Sequence, residues 1–157
     1  MKFIPFLFYL IILFSTGCKK PSTHKAQYLQ GIEGQVIWKE GNFMPGPAPR
    51  PGEPSKKQKT QGVEREILIY ALTQLKQTQR KGAFFTQVST ELIKTVKSDT
   101  EGRFRVGLPA GQYSVFVKEE QGLYANFFDG KGHIHPIEVK EGEYTTIQIT
   151  IDYKAAY

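Results

Sequence analysis

The chain has one cysteine and one tryptophan among 157 residues. A single cysteine excludes a disulfide within the chain, so core packing and hydrogen bonding must hold the fold. The sequence has no Gly-x-Ser-x-Gly elbow and no Walker-type phosphate loop, which removes the usual signals for a serine hydrolase or a nucleotide-binding site. Glu119 and Glu120 are adjacent; on a strand they would point to opposite faces and could not act on one substrate. The apolar run from Phe3 to Phe14 falls short of the roughly 20 residues a membrane-spanning helix needs. Charged residues make up 23% and hydrophobic ones 39%, a balance that suits a single globular domain. Aromatic residues reach 13%, which leans toward β structure.

The N-terminus reads as a targeting segment. Lys2 precedes the Phe3–Phe14 run, and Ser15-Thr16-Gly17 provides a small-residue exit, as in a secretory signal peptide over residues 1–17. Cys18 follows directly, the arrangement of a bacterial lipobox, although Ser15 stands where leucine is usual and Leu13 lies two residues earlier. Cys18 is therefore the expected lipid-attachment site. Each buried acyl CH₂ contributes about 0.8 kcal/mol, so two or three chains would hold the protein durably in a membrane. Lys19 and Lys20 sit where anionic headgroups would attract them. Residues 18–30, with Pro21 and His24, read as a polar tether. The expected location is the bacterial cell envelope, as an outer-membrane lipoprotein on its periplasmic or outer face. The formal net charge is +6, but the basic residues are scattered or gathered in one loop. No aromatic-basic motif accompanies them, so nucleic acid is not an expected partner.

Beyond the tether the pattern is one of strands and turns. In Ser98–Glu120, Phe104, Val106 and Leu108 alternate with Arg103, Arg105 and Gly107, and Tyr113, Val115 and Val117 repeat the alternation. This predicts a β-hairpin with one apolar face. Asp99-Thr100-Glu101-Gly102 opens it, with Asp99 placed to accept backbone N–H groups, and Leu108-Pro109-Ala110-Gly111 turns it. Gly31–Trp38 predicts the first strand, with Ile32, Gly34, Val36 and Trp38 on one face. Residues 41–62 hold Pro45, Pro47, Pro49, Pro51 and Pro54 and predict a loop without ladder strands. Glu66–Leu72 predicts a strand buried on both faces, and Thr73–Gly82 a polar loop. Further strands are expected at 84–89, 91–97, 123–128, 134–139 and 145–153, followed by a tail at 154–157. Asp129-Gly130-Lys131-Gly132 predicts a tight turn.

Asp-x-x-Gly-x-Phe at 99–104, followed by Leu-Pro-x-Gly-x-Tyr-x-Val at 108–115, resembles carboxypeptidase regulatory-like domains. These are transthyretin-like, or prealbumin-like, modules common in surface proteins and lipoproteins of the Bacteroidetes. The resemblance extends over Gly31–Ile151. It implies an all-β, transthyretin-like or Ig-like antiparallel β-sandwich of about seven strands across residues 31–153. It also implies a non-catalytic binding or structural role, because it is to the accessory domain and not to the zinc peptidase. The transthyretin-like hydroxyisourate hydrolases end in Tyr-Arg-Gly-Ser; this chain ends Tyr153-Lys154-Ala155-Ala156-Tyr157 and departs from them there.

Few side chains suggest chemistry. His133 and His135 would share a strand face near Asp129, a weak candidate for a metal site that lacks a third and fourth ligand. Trp38, Tyr124, Phe127 and Phe128 are candidates for stacking on a glycan. No catalytic residue and no cofactor is expected. The alternatives to a plain envelope module are a glycan-binding surface lipoprotein and an accessory subunit that docks on an outer-membrane complex through residues 41–62.

Overall fold

The computed structural model describes residues 28–46 and 58–157. The expected signal peptide, Cys18 and most of the tether lie outside them, as do Pro47, Pro49, Pro51 and Pro54. Within them the protein is all-β, with two sheets of four and seven strands. In chain order the strands are β1 (Gly31–Asn42), β2 (Lys59–Gly62), β3 (Glu66–Ala71), β4 (Thr78–Lys81), β5 (Phe84–Val88), β6 (Leu92–Lys97), β7 (Arg103–Gly107), β8 (Gly111–Glu119), β9 (Gly122–Tyr124), β10 (Pro136–Val139) and β11 (Tyr144–Ala156). A single 3-10 turn, Leu75–Gln77, precedes β4. Among the described residues no helix is long and apolar enough to cross a membrane.

Each sheet is built on one long strand. In the four-stranded sheet β1 pairs along its length with β11, while β7 and β2 share its other edge, at Gly31–Gln35 and Ile37–Glu40. In the seven-stranded sheet β8 pairs with β3 on one side, and β10 and β9 share the other. The order β4-β5-β9-β8-β3-β6 leaves β4 and β6 at the edges.

The segment expected to be a hairpin is instead an arch between the sheets. β7 belongs to the four-stranded sheet and β8 to the seven-stranded one. Phe104, Val106 and Leu108 therefore face Tyr113, Val115 and Val117 across one buried core. Period two reports which face is apolar and is blind to whether the next strand lies beside it or opposite it. Pro109, which lacks an N–H, sits in the crossing, and the Tyr113 hydroxyl donates to its carbonyl at 2.9 Å.

The turn ahead of β7 forms as expected. Asp99 Oδ1 accepts from Glu101 N at 3.0 Å and Arg103 N at 2.7 Å. Gly102 has φ of 82°, and a Cβ there would strike the Val36 carbonyl, so only glycine fits.

The expectation of a purely antiparallel sandwich fails at β1 and β11, which run parallel from Gly31↔Tyr144 to Asn42↔Ala156. These strands come from opposite ends of the domain, so no short turn dictates their direction. They approach closely: a Cβ on Gly34 would run into the Ile147 carbonyl. The predicted tail is part of β11, which continues through Ala156. The predicted loop at 41–62 is also shorter than expected, because Gly41 and Asn42 end β1 and Lys59–Gly62 forms β2. The prolines stop at Pro54, so the residues beyond it keep the N–H groups a ladder needs. The predicted polar loop at 73–82 contains β4, paired with β5. β3 is apolar on both faces but fully buried only through Ile67 and Ile69.

The sheets pack around a core that includes Ile32 and Val36 of β1, Ile149 and Ile151 of β11, Ile67 and Ile69 of β3, and Val115 and Val117 of β8. A second, smaller cluster of Phe85, Phe116, Ala125 and Ile134 covers the middle of the outer face of the seven-stranded sheet. That cluster closes because the chain after β9 folds back across β8, and this return segment shapes the candidate site.

Candidate functional site

Residues 125–135 link β9 to β10, and Asp129 organises them. Its Oδ1 accepts from Lys131 N at 2.9 Å and His133 N at 2.8 Å, and its Oδ2 lies 2.7 Å from His133 Nδ1. Desolvation pushes this carboxyl up, but the His133 ring and the two backbone N–H groups outweigh it and hold the group below the usual carboxylate range. Gly132, at φ of 79°, completes the turn. Ile134 then drops into the outer cluster, with its N–H donating to the Thr73 carbonyl at 2.9 Å.

His135 comes next and is unusual twice over. Its φ is 39°, the one positive value at a non-glycine among the described residues. Its Nδ1 is the one buried side-chain nitrogen or oxygen among them with no hydrogen-bond partner. The residue is only 7% exposed, and burial pushes its pKa down from 6.5 to about 4, so the ring is neutral at ordinary pH. The Phe127 ring stands edge-on to it at 5.9 Å.

Both rings border a concavity of about 500 Å³ whose opposite wall is β11. Gln148, Thr150 and Asp152 line it from alternate positions of that strand, on the face turned away from buried Ile149 and Ile151. Asp152 is a hub: Oδ1 accepts from the Tyr124 hydroxyl at 2.6 Å and Asn126 Nδ2 at 2.9 Å, and Oδ2 accepts from the Tyr157 hydroxyl at 2.9 Å. Desolvation first, and then the Asp152 carboxylate, raise the pKa of Tyr124 well above that of a free phenol.

The two histidines do not form one site. His133 pairs with Asp129 and lines a separate, smaller concavity of about 190 Å³. The left-handed backbone at His135 breaks the strand alternation that would have put both rings on one face. Among the described residues no group of three or more His, Cys, Asp or Glu side chains is placed to hold a metal ion.

The stacking candidates also separate. Phe127 is 54% exposed, and Phe128 packs against the outer cluster. Tyr124 is buried in the main core, and Trp38 is 8% exposed there. Trp38 meets Tyr153 edge-on at 5.3 Å, with the Arg65 and Lys154 cations 5.8 and 5.4 Å from its ring. Arg65 pairs with Glu119 at 2.6 Å, and the Tyr153 hydroxyl donates to Glu119 at 2.8 Å. Desolvation and that carboxylate push the Tyr153 hydroxyl up to about 12. Trp38 thus borders a third concavity, of about 600 Å³, with its ring already occupied by protein groups.

Sequence reasoning missed the β11 wall, Asn126 and the Asp152 hub. The alternation of Gln148, Thr150 and Asp152 with isoleucines was visible, but nothing in it says what faces the polar side. Set against protein-family models, curated proteins and solved structures, the chain matches none of them.

Proposed function

We propose that this is a non-catalytic, lipid-anchored module of the bacterial cell envelope, with a transthyretin-like sandwich that presents a binding surface away from the membrane. The observation that carries the reading is the parallel register of β1 and β11. Gly31 follows the tether directly, whereas Asn42 and Ala156 end the paired strands at the opposite pole. The concavity follows β11 from Ile147, opposite Gly34, to Asp152 and reaches Tyr157 at the far end. An anchor at Cys18 would therefore hold one pole at the lipid and leave the other outward. The arch between the sheets, which carries the Asp-x-x-Gly-x-Phe and Leu-Pro-x-Gly-x-Tyr-x-Val motifs, supports the sandwich assignment. Fractionation and mass analysis of the full chain test the anchor: wild type should sediment with membranes, begin at Cys18 and carry acyl groups there, and Cys18→Ala should carry none and keep its signal segment. A bare Cys18 thiol on the exported protein would overturn it.

Docking on a larger envelope complex through residues 41–62 is a second reading. It is favoured by the paired stem of β1 and β2, and by Phe43, stacked on Tyr157 at 5.8 Å, and exposed Met44 at its base. Pull-down with residues 47–57 deleted would decide it.

A further inference from the structure

We propose that the concavity between β11 and the 125–135 segment binds a neutral saccharide, with Phe127 as its apolar platform and the His135 imidazole as a hydrogen-bonding group. The inference deepens, and rests on, the reading of the protein as a binding module.

Two costs fall on one residue. A left-handed backbone is unfavourable for a residue with a Cβ, and a buried polar atom without a partner is unfavourable for any residue. Glycine would relieve the first cost at position 135, and an apolar side chain the second. Both fall on the residue that borders the concavity. Local strain and unmet hydrogen-bonding capacity concentrate where a ligand completes the arrangement.

The chemistry of the walls narrows the ligand. Gln148 and Thr150 each donate and accept, and so does a neutral imidazole; hydroxyl groups do the same. Lys39 and Asp152 bring one charge of each sign to the lining, and three protein donors already fill the Asp152 carboxylate's hydrogen-bonding positions, so the walls carry no net charge that would select an ionic ligand. Phe127 and Ile147 add apolar surface beside these polar groups. A ring with an apolar face and a hydroxylated rim matches both kinds of wall. The His135 Nδ1 is buried, so a ligand reaches it only if a neighbouring side chain moves; Phe127, edge-on to the imidazole and half exposed, is free to change rotamer.

The test uses the full chain, purified from membranes in mild detergent and titrated with soluble malto-, cello-, manno- and chito-oligosaccharides and with an oligogalacturonate, read by calorimetry and by the NMR signals of the His135 ring. One neutral oligosaccharide should bind with a Kd in the millimolar range or tighter and shift those signals. Phe127→Ala should weaken that binding roughly tenfold without lowering the melting temperature, and His135→Gln should weaken it as well. Absence of binding by every neutral sugar at about 10 mM, well above a millimolar Kd, would overturn the proposal. So would binding indifferent to Phe127→Ala, or a preference for the oligogalacturonate. The Cys18 fractionation reads the broader proposal independently, so a failed titration removes the saccharide alone.

Discussion

The middle of the seven-stranded sheet is covered on both faces, and the two covers differ in kind. On the inner face Ile67, Ile69, Val115 and Val117 meet the regular strands β1, β7 and β11. On the outer face Phe85 and Phe116 meet Ala125 and Ile134 from an irregular segment, with the Arg80 guanidinium 5.0 Å from the Phe85 ring. A strand partner satisfies its own backbone groups through the ladder. An irregular cover must find partners singly: Ile134 N on the Thr73 carbonyl, His135 N on the Phe127 carbonyl, Thr73 N on the Ser114 hydroxyl. The irregular side also holds the left-handed residue and the unpartnered nitrogen. Regular packing leaves little room for strain, whereas a cover built from single contacts can hold it.

Matched truncations test that difference most strongly. Ile69 and Ile134 are both fully buried, so Ile→Ala removes the same atoms from each face. Ile69→Ala should cost toward 5 kcal/mol, because ladder strands cannot close the hole, and Ile134→Ala nearer about 2 kcal/mol, because its segment can settle. Chemical denaturation gives the two values, and hydrogen exchange should show residues 125–135 loosened alone in Ile134→Ala. Equal costs would erase the contrast.

Acid comes next. Between pH 6.5 and about 4 the unfolded chain binds a proton at His135 that the folded chain refuses. Stability should fall by about 3 kcal/mol as pH drops through that window, with no effect of this group above it and no further loss below it. Denaturation across pH with and without His135→Gln isolates the contribution.

The smallest effect is at Ser114, which is fully buried and accepts the Thr73 N–H at 2.9 Å. Ser114→Ala leaves that donor without its acceptor and should cost about 1 kcal/mol, the low end for an unmet buried donor, with amide exchange faster at Thr73 than in β1.

Strand positions were legible wherever one face had to be apolar: β1, β7, β8 and β11 follow the alternation of their side chains. Three features were not. Alternation in Phe104–Leu108 and Tyr113–Val117 is the same for a hairpin and for an arch, so sheet membership was hidden. Thr78–Lys81 has no alternation to show, because β4 is an edge strand with no apolar side chain. The direction of β11 against β1 rests on pairing between distant parts of the chain, which no local turn records. The candidate site was half readable. Phe127 and His135 could be named from residue type, but their pairing depends on a left-handed φ at His135, which histidine adopts more readily than most residues yet only in a small minority of cases. The roles expected of Trp38 and Tyr124 gave way to burial, which period two permits without predicting how complete it is.

The parallel seam between β1 and β11 also has a mechanical meaning. Were the molecule held at the N-terminal end of β1 and pulled at the C-terminal end of β11, the two strands would be dragged past each other along their axes. The bonds from Gly31↔Tyr144 to Asn42↔Ala156 would then share the load together, where an antiparallel pair gripped at one end would open one bond at a time like a zip. A tug on whatever the far pole grips would thus be resisted by the whole length of the seam at once.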